Sequence, residues 1–319
     1  MKLMLTIELA DRYVSMIEDS FTNLEVVMAL DPDLQEKELN DSEIVVGFGD
    51  SFNPEIIKEG TSLRWIQSWA AGVDHYTRPE VIKKLIDNNI KLTSMSGIHG
   101  DIIAEHVMGM VIGFSRKLYK FYQQQQNSIW QRIQPDQLAG KTMAVIGLGS
   151  IGQEIASRAK AFKMKVVGVK RNTLDKVDMV DELYSAEELF KVLAVADYVV
   201  VIVPLTDDTI GMFGYDEFRA MKETAFFINV SRGQVVIEQE LITALQEGCL
   251  AGAGLDVFNQ EPLPEDSPLY KLDNVLLTPH VAGIFPDYNK EAIKKFLFNL
   301  RRYQEGKELI NLVDYNSGY

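Results

Sequence analysis

The chain has 319 residues and a formal net charge of −14, with 32 Lys and Arg against 46 Asp and Glu, a balance that disfavours nucleic acid as a partner. It contains no apolar run long enough to span a membrane, and it opens on a strand-like segment rather than a signal peptide, so we expect a cytoplasmic protein with no membrane partner. Its single cysteine, Cys249, excludes an internal disulfide and a cysteine zinc site, so we expect no metal and a packing role for that side chain.

Short runs rich in Val and Ile alternate with segments of helical periodicity, which is typical of a parallel sheet covered by helices on both faces. In the first part of the chain, residues 79–88 predict a helix between two strands. Apolar residues then recur at helical spacing from Ile102 to about Gln123, which predicts one long helix, with the following glutamine run at its solvated end. Predicted strands in the first part cover residues 2–7, 25–30, 43–47, 63–68 and 90–94.

A second series of strands begins after the segment YQQQQNS, and its size is that of a complete doubly wound dinucleotide-binding domain. The residues from Asp287 on hold one amphipathic helix, too short to fold alone, which we expect to return to the first domain. We therefore predict an α/β protein with two doubly wound parallel-sheet domains: a flavodoxin-like substrate domain (1–98 and 284–319) and a Rossmann dinucleotide-binding domain (99–283). The predicted strands of the second series cover 142–146, 165–169, 198–203, 225–230, 252–257 and 275–278.

The stretch MAVIGLGSIGQEIASRA predicts a phosphate-binding loop. Gly147, Gly149 and Gly152 have G-x-G-x-x-G spacing directly after an apolar strand and at the start of a helix. The first glycine allows the tight turn, the second lets the backbone approach a pyrophosphate, and the third lets helix and strand pack closely. We expect Ser150 and Ile151, in the first helical turn, to face the phosphates, because the N-terminal end of a helix attracts anions.

The next predicted strand ends in Lys170, Arg171 and Asn172, at the place where an NAD-binding domain usually carries an acidic residue. A carboxylate there would repel the 2′-phosphate of NADP, whereas two cations attract it, and the guanidinium fork suits phosphate oxygens. We therefore expect NADP (NADPH) as the preferred cofactor, with NAD possible. The alternative is a pair of solvated cations at a strand end.

Three stretches follow late strands of the second domain, where open α/β sheets bind their ligands: FINVSRGQVV, LDVFNQEPLP and LLTPHVAG. They supply Arg232, Asp256, Glu261 and His280. Together an arginine, a carboxylate and a histidine can provide an anion clamp, an orienting group and a proton donor. The other three histidines lie in turn-like or helical contexts, and we do not expect them to be catalytic: His75, His99 and His106.

Seven motifs in order along the chain resemble those of the D-isomer-specific 2-hydroxyacid dehydrogenase family. They are SWAAGVDHY, GDIIAEHVMGM, LAGKTMAVIGLGSIG, PLTDDT, NVSRGQVV, LDVFNQEPLP and TPHVAG. The resemblance implies that Arg232 binds the substrate carboxylate and carbonyl, and that His280 is the acid/base paired with Glu261. It also implies a homodimer formed through the nucleotide domain, with the long helix and the arm containing Trp130 at the contact.

The resemblance assigns the remaining site residues as well. It implies that Asp256 holds the nicotinamide carboxamide and that Pro204 and Thr206 lie beneath the dinucleotide. It further implies that backbone N–H groups around Ala71 and Gly72 complete the carboxylate clamp from the substrate domain.

These roles agree with the chemistry of reducing a 2-oxo acid. Negative charge develops on the carbonyl oxygen as hydride reaches the carbonyl carbon, so a cation and a proton donor beside it lower the barrier. A carboxylate beside His280 stabilises its imidazolium and keeps the proton donor charged. Arg232 suits the two oxygens of a carboxylate, which selects 2-oxo acids over simple aldehydes.

The match has two departures from the family pattern. The acidic residue after the second strand is missing, and Ile237 stands where many members carry Asp or Asn. The Lys-Arg-Asn segment makes the chain most similar to the glyoxylate/hydroxypyruvate reductase branch, which implies reduction of a small 2-oxo acid to the D-2-hydroxy acid.

Two alternatives remain open: a D-lactate-type 2-oxo acid reductase, and an NAD(P)-binding redox sensor or protein-interaction module. In a glyoxylate/hydroxypyruvate reductase or a D-lactate-type reductase, four aromatic residues could shape the pocket for the substrate side chain, or they could equally belong to the core or an interface. They are Trp65, Trp69, Trp130 and Phe285.

Overall fold

The computed structural model describes residues 1–21, 23–173 and 177–318. The chain divides into two compact units, each with its own parallel sheet and apolar cores. Unit 1 comprises Met1–Ile98 and Phe285–Tyr319, and unit 2 comprises His99–Ile284. None of the helices in the described ranges combines the length and apolarity needed to cross a bilayer.

Unit 1 contains a parallel sheet that has five strands within the described residues, in the order β2-β1-β3-β4-β5. This is the flavodoxin-like order expected for a doubly wound sheet. The central strands are buried on both faces and consist mostly of Val, Ile, Leu and Met, as parallel strands require. The elements are β1 (Lys2–Leu5), α1 (Asp11–Asp19), β2 (Glu25–Met28), α2 (Pro32–Leu39), β3 (Ile44–Gly47), β4 (Trp65–Ser68), α3 (Pro79–Asp87) and β5 (Lys91–Thr93), with a 3-10 turn at Pro54–Ile56.

Unit 2 begins with two helices, α4 (Gly100–Ser115) and α5 (Leu118–Gln126). Its parallel sheet has seven strands among the described residues, in the order β12-β11-β10-β9-β6-β7-β8. The six strands β6 to β11 follow the Rossmann order, and β12 extends the sheet by one strand. The elements are β6 (Thr142–Ile146), α6 (Ser150–Ala161), β7 (Lys165–Val169), β8 (Glu182–Tyr184), α7 (Leu189–Val195), β9 (Tyr198–Val201), α8 (Tyr215–Ala220), β10 (Phe226–Asn229), α9 (Glu238–Glu247), β11 (Gly252–Leu255) and β12 (Val275–Leu277), with 3-10 turns at Ala186–Glu188, Gly233–Val235 and Pro268–Lys271.

The sequence pattern missed β8, which has only three residues and begins with an exposed glutamate. This edge strand is defined by its tertiary contacts and not by an apolar run in the sequence. The N–H of Asp181 donates to the carbonyl of Val166 at 2.8 Å, and its carboxylate accepts the Val166 N–H at 2.7 Å. The Lys160 ammonium lies 2.7 Å from the same carboxylate. Its hydrogen bond, together with that of the Val166 N–H, holds the pKa of Asp181 below its usual range.

The prediction of one long helix from Ile102 to Gln123 is wrong, because α4 ends at Ser115 and α5 starts at Leu118. Lys117 between them has a φ of 59°, the left-handed conformation that commonly ends a helix. The change of direction takes Leu118 out of the apolar face, so its side chain is 54% exposed. The helical spacing of apolar residues in the sequence continues across this break, because Leu118 lies four residues after the buried Phe114. The glutamine run forms the end of α5, where its last two members are exposed.

The C-terminal segment packs in unit 1 through α10 (Tyr288–Gln304). Its apolar face is buried with two of the tryptophans, and the Phe296 ring lies 5.5 Å from that of Trp65 and 6.4 Å from that of Trp69. Both tryptophans are fully buried. They therefore belong to the core of unit 1.

Buried polar groups fix the register of β4 and β5 inside that core. The indole N–H of Trp65 donates to Oγ1 of Thr93 at 2.7 Å, and the same hydroxyl donates to Oε1 of Gln67 at 2.9 Å. All three residues are fully buried. Loss of the hydroxyl would leave a donor and an acceptor without partners in a place that water does not reach.

We expect Thr93→Val, which keeps the side-chain shape, to lower the free energy of unfolding by about 1–3 kcal/mol. Urea unfolding followed by tryptophan fluorescence measures the change. Thr224→Val, at an exposed position, is the control and should alter stability by less than about 0.5 kcal/mol. Equal stability of the two variants would contradict the role of the buried hydroxyl.

Candidate active site

The sheet of unit 2 gathers the ionisable residues at one edge. Asn229, Leu255 and Leu277 are register partners at the carboxyl ends of β10, β11 and β12. The segments that leave these three strands therefore emerge side by side. They carry Arg232 after β10, Asp256 and Glu261 after β11, and His280 after β12.

His280 and Glu261 form a hydrogen-bonded pair in which Nδ1 of the imidazole lies 2.7 Å from Oε2 of the carboxylate. The second carboxylate oxygen accepts the N–H of Phe258 at 2.9 Å, so the Glu261 side chain is fixed from both sides. The His280 side chain is 48% exposed. Because Nδ1 faces the carboxylate, it carries a hydrogen, and Nε2 on the opposite side of the ring is left to face a reactant.

Arg232 lies in a turn that buried hydrogen bonds shape. The side chain of Asn229 donates to the carbonyl of Arg232 at 3.0 Å, and it accepts the N–H of Ser231 at 3.0 Å and its hydroxyl at 2.7 Å. Gly233 then packs on the backbone of the next segment, where an added Cβ would lie 1.9 Å from the carbonyl carbon of Phe258. This contact ties the turn that carries Arg232 to the segment that leads to Glu261.

Asp256 is the most deeply buried of the four ionisable candidates that follow β10, β11 and β12. Its carboxylate is 2% exposed and accepts hydrogen bonds from the Thr278 hydroxyl, the Val281 N–H and the Ala282 N–H, at 2.6, 3.0 and 2.9 Å. These bonds hold the turn that carries His280. The implied contact with a nicotinamide carboxamide stays a prediction.

The glycine loop after β6 has the geometry that its spacing predicts. Gly147 has a φ of 105°, which favours glycine, and its N–H donates to the carbonyl of Val169 at 3.0 Å. Helix α6 begins at Ser150, and its N-cap, Gly149, has no side chain to occupy the first N–H groups. Ser150, Ile151 and Gly152 form the first turn of the helix, and an N-terminal helix end of this kind suits an anion.

The residues after β7 place two cations beside this loop, because β6 and β7 are neighbours in the sheet. Lys170 follows β7 directly and is half-buried, and Arg171 and Asn172 are exposed. Nη2 of Arg171 lies 3.4 Å from Oδ2 of Asp208, which belongs to the loop after β9. Sequence reasoning did not identify Asp208 as a neighbour of the basic segment.

The loop after β9 is closed by Thr209. Its hydroxyl lies 2.6 Å from the carbonyl of Pro204 and accepts the N–H of Thr206 at 2.9 Å. These bonds give Pro204 and Thr206 a defined position at the same edge of the sheet as the glycine loop. Their predicted place beneath a dinucleotide fits this arrangement.

The loop after β4 in unit 1 uses its carbonyl groups internally. The carbonyl of Trp69 accepts the hydroxyl of Tyr288, and that of Ala70 accepts the N–H of Met95 at 2.9 Å. Within the described part of the chain, the N–H groups of Ala71 and Gly72 have no backbone acceptor. The loop therefore presents two N–H donors that can bind an anion.

No group of three or more His, Cys, Asp or Glu residues capable of holding a metal occurs among residues 1–21, 23–173 and 177–318. Cys249 is half-buried and packs against the apolar core of unit 2.

Comparison with known proteins identifies the family. Residues 108–282 match the model of the D-isomer specific 2-hydroxyacid dehydrogenase NAD binding domain. Glyoxylate reductase of Korarchaeum cryptofilum is 32% identical over 274 residues, which is 83% of this chain and 80% of that protein. The chain belongs to the D-isomer specific 2-hydroxyacid dehydrogenase family, and it is an NAD(P)-dependent oxidoreductase acting on the CH–OH group of donors.

Solved structures match along nearly the whole chain. A family member from Aeromonas salmonicida is 32% identical and superposes with a TM-score of 0.87 over 98% of this chain and 99% of its own. An NADPH-dependent glyoxylate/hydroxypyruvate reductase from Sinorhizobium meliloti, in complex with NADP and sulfate, is 26% identical with a TM-score of 0.87 over 100% of this chain and 99% of its own. The predicted fold class and the nicotinamide dinucleotide cofactor are thereby confirmed.

The predicted homodimer stays a prediction. In the segments that the family resemblance assigns to the dimer contact, Trp130 is exposed by 99% and Tyr122 by 62%. Aromatic side chains are enriched at protein contact surfaces.

Gly149 and Gly152 of the phosphate loop have separate predicted roles, in phosphate approach and in helix packing, that substitution can test. An added Cβ at Gly152 would lie 2.0 Å from the carbonyl oxygen of Gly147, whereas a Cβ at Gly149 meets nothing within 4 Å. We expect Gly152→Ala to lower the free energy of unfolding by about 1–3 kcal/mol, because the close contact of helix and strand is lost. Gly149→Ala should leave stability within about 1 kcal/mol and weaken NADPH binding at least about tenfold, because the methyl group blocks the approach of the phosphates.

Urea unfolding and calorimetric titration with NADPH separate the two effects. The same loss of stability in both variants, or unchanged NADPH binding in Gly149→Ala, would contradict these roles.

Proposed function

We propose that this protein reduces a small 2-oxo acid of the glyoxylate or hydroxypyruvate type to the D-2-hydroxy acid, with NADPH preferred over NADH. The observation that carries the proposal is the Glu261–His280 hydrogen bond of 2.7 Å, beside the turn that carries Arg232. The names of the Korarchaeum and Sinorhizobium relatives, a glyoxylate reductase and a glyoxylate/hydroxypyruvate reductase, support the same substrate class.

His280 is the proton donor of the proposed reaction. The reduced nicotinamide supplies a hydride to the carbonyl carbon when it is bound. As the carbonyl double bond becomes a C–O single bond, the oxygen takes the proton from Nε2 of His280, which leaves the neutral imidazole. Glu261 keeps the ring in the required orientation through Nδ1, so the donor is aligned before hydride transfer begins.

Arg232 binds the carboxylate of the substrate and lies close to the carbonyl oxygen that gains charge. A guanidinium donates two parallel hydrogen bonds to a carboxylate, which fixes the plane of the oxo acid. In unit 1, the loop after β4 uses its carbonyl groups internally, and the N–H groups of Ala71 and Gly72 are further donors that suit a carboxylate.

Lys170 and Arg171 select NADPH by binding its 2′-phosphate. They follow β7 at the place where NAD enzymes need a carboxylate for the ribose hydroxyls, and they sit next to the glycine loop. The Sinorhizobium relative, in complex with NADP, supports this preference.

A substrate panel tests the function and the cofactor preference together. We expect oxidation of NADPH, followed at 340 nm, with glyoxylate or hydroxypyruvate, and a higher kcat/KM with NADPH than with NADH.

Lys170→Ala combined with Arg171→Ala should lower kcat/KM for NADPH by about a hundredfold, because two charge-assisted hydrogen bonds are lost, and should leave the value for NADH nearly unchanged. Equal or better use of NADH by the wild type would contradict the preference, and no turnover with any 2-oxo acid would contradict the function.

Removal of the proton donor tests the catalytic assignment. We expect His280→Ala to lower kcat by about two to four orders of magnitude, the span typical of a general acid. NADPH binding, measured by titration, should stay close to that of the wild type, which separates loss of chemistry from loss of fold. Turnover close to normal in this variant would remove His280 from the mechanism.

A further inference from the structure

The backbone of His280 is strained. Its φ of 52° lies in the left-handed region, which a residue with a Cβ adopts only when its surroundings hold it there. Nδ1 reaches Glu261 from this conformation. Whatever holds the turn therefore also sets the direction of the proposed proton donor.

Asp256 holds this turn at four points. Its carbonyl accepts the N–H of His280 at 2.8 Å, and its carboxylate accepts the N–H groups of Val281 and Ala282. The fourth bond, at 2.6 Å, comes from the hydroxyl of Thr278 and is the only one of the four made by a side-chain donor. Its strength depends on where the single hydroxyl hydrogen points.

The ring of His106, on α4, lies against the same hydroxyl. Its Nε2 lies 3.0 Å from Oγ1 of Thr278 and 3.7 Å from Oδ1 of Asp256, and its side chain is 19% exposed. The Thr278 hydroxyl has one hydrogen, and the carboxylate at 2.6 Å can only accept it. The hydroxyl oxygen must then act as acceptor toward His106, so Nε2 of His106 carries a hydrogen.

We propose that His106 is a positioning residue for the reaction, acting through Thr278 and Asp256 on His280. The Nε2–H of His106 fixes the Thr278 hydroxyl with its hydrogen on Asp256, and the fourth bond of the turn then keeps the imidazole of His280 in line with Glu261. This inference rests on the proposed function, in which His280 is the proton donor. It gives a role to a histidine 172 residues distant in sequence from the turn that it supports.

Paired variants separate the hydrogen bond from side-chain shape. His106→Leu and Thr278→Val remove the donor and the hydroxyl, whereas His106→Gln and Thr278→Ser keep them, because a glutamine amide nitrogen takes the place of Nε2. We expect the first pair to lower kcat about tenfold, with KM for the 2-oxo acid and Kd for NADPH within about twofold of the wild type. The second pair should recover kcat to within about threefold. Glu105→Gln, an exposed change on the same helix, is the control and should leave kcat unchanged.

Two kinetic results would overturn the inference. One is wild-type kcat in both His106→Leu and Thr278→Val. The other is a loss in His106→Gln as large as that in His106→Leu, since shape rather than hydrogen bonding would then explain the effect.

A spectroscopic measurement tests the inference independently of turnover and of the variants' folding. The chain has only four histidines, so nitrogen-15 spectra of the imidazole rings can be assigned one by one. We expect His106 in the wild-type protein to carry a hydrogen on Nε2. A ring with hydrogen on Nδ1 alone would overturn the inference. Absence of turnover with every 2-oxo acid, together with the expected spectrum, would overturn the proposed function and leave the hydrogen-bond arrangement standing.

Discussion

The hydrogen bond between Nδ1 of His280 and Glu261 is the interaction on which the proposed chemistry depends. An imidazole that gives a proton to a reacting oxygen works best when its other nitrogen is held, and here one carboxylate holds it. Glu261 is itself held by the N–H of Phe258, so the pair has little freedom before a substrate arrives. Preorganisation of this kind lowers the cost of reaching the transition state.

The parallel sheet of unit 2 makes this arrangement possible. Strands β10, β11 and β12 end in register, and each is followed at once by a segment that carries part of the site. Two close contacts then connect the segments: Gly233 packs on the backbone at Phe258, and Asp256 binds the turn of His280. The guanidinium, the carboxylate and the imidazole are therefore positioned by backbone contacts rather than by long flexible side chains alone.

Much of this could be predicted from the sequence, because its signals are local. The glycine loop follows an apolar strand and opens a helix, and Arg232 and His280 each come three residues after a strand. Strand β8 could not be predicted, because three residues with an exposed glutamate have no apolar pattern and depend on Asp181 for their place. The break before Leu118 could not be predicted because the apolar period continues across it. The left-handed conformation of Lys117, which ends the first helix, has no signal in the apolar pattern.

Contacts between distant residues were also beyond local patterns. Nothing near His106 in the sequence indicates that its ring meets Thr278, and Asp208 gives no sign of facing Arg171. His106 lies on a helix whose buried members are apolar or small, so its surroundings in the sequence suggest packing alone. Residues that act through a neighbour become visible only when the three-dimensional contacts are known.

A crystal structure of the complex with NADP and oxamate, an unreactive analogue of a 2-oxo acid, is the most direct test of the central claim. We expect the analogue's carboxylate to bind the Arg232 guanidinium and its carbonyl oxygen to lie within hydrogen-bond distance of Nε2 of His280, with Nδ1 still bound to Glu261. An imidazole turned away from the analogue and out of contact with Glu261 would contradict it.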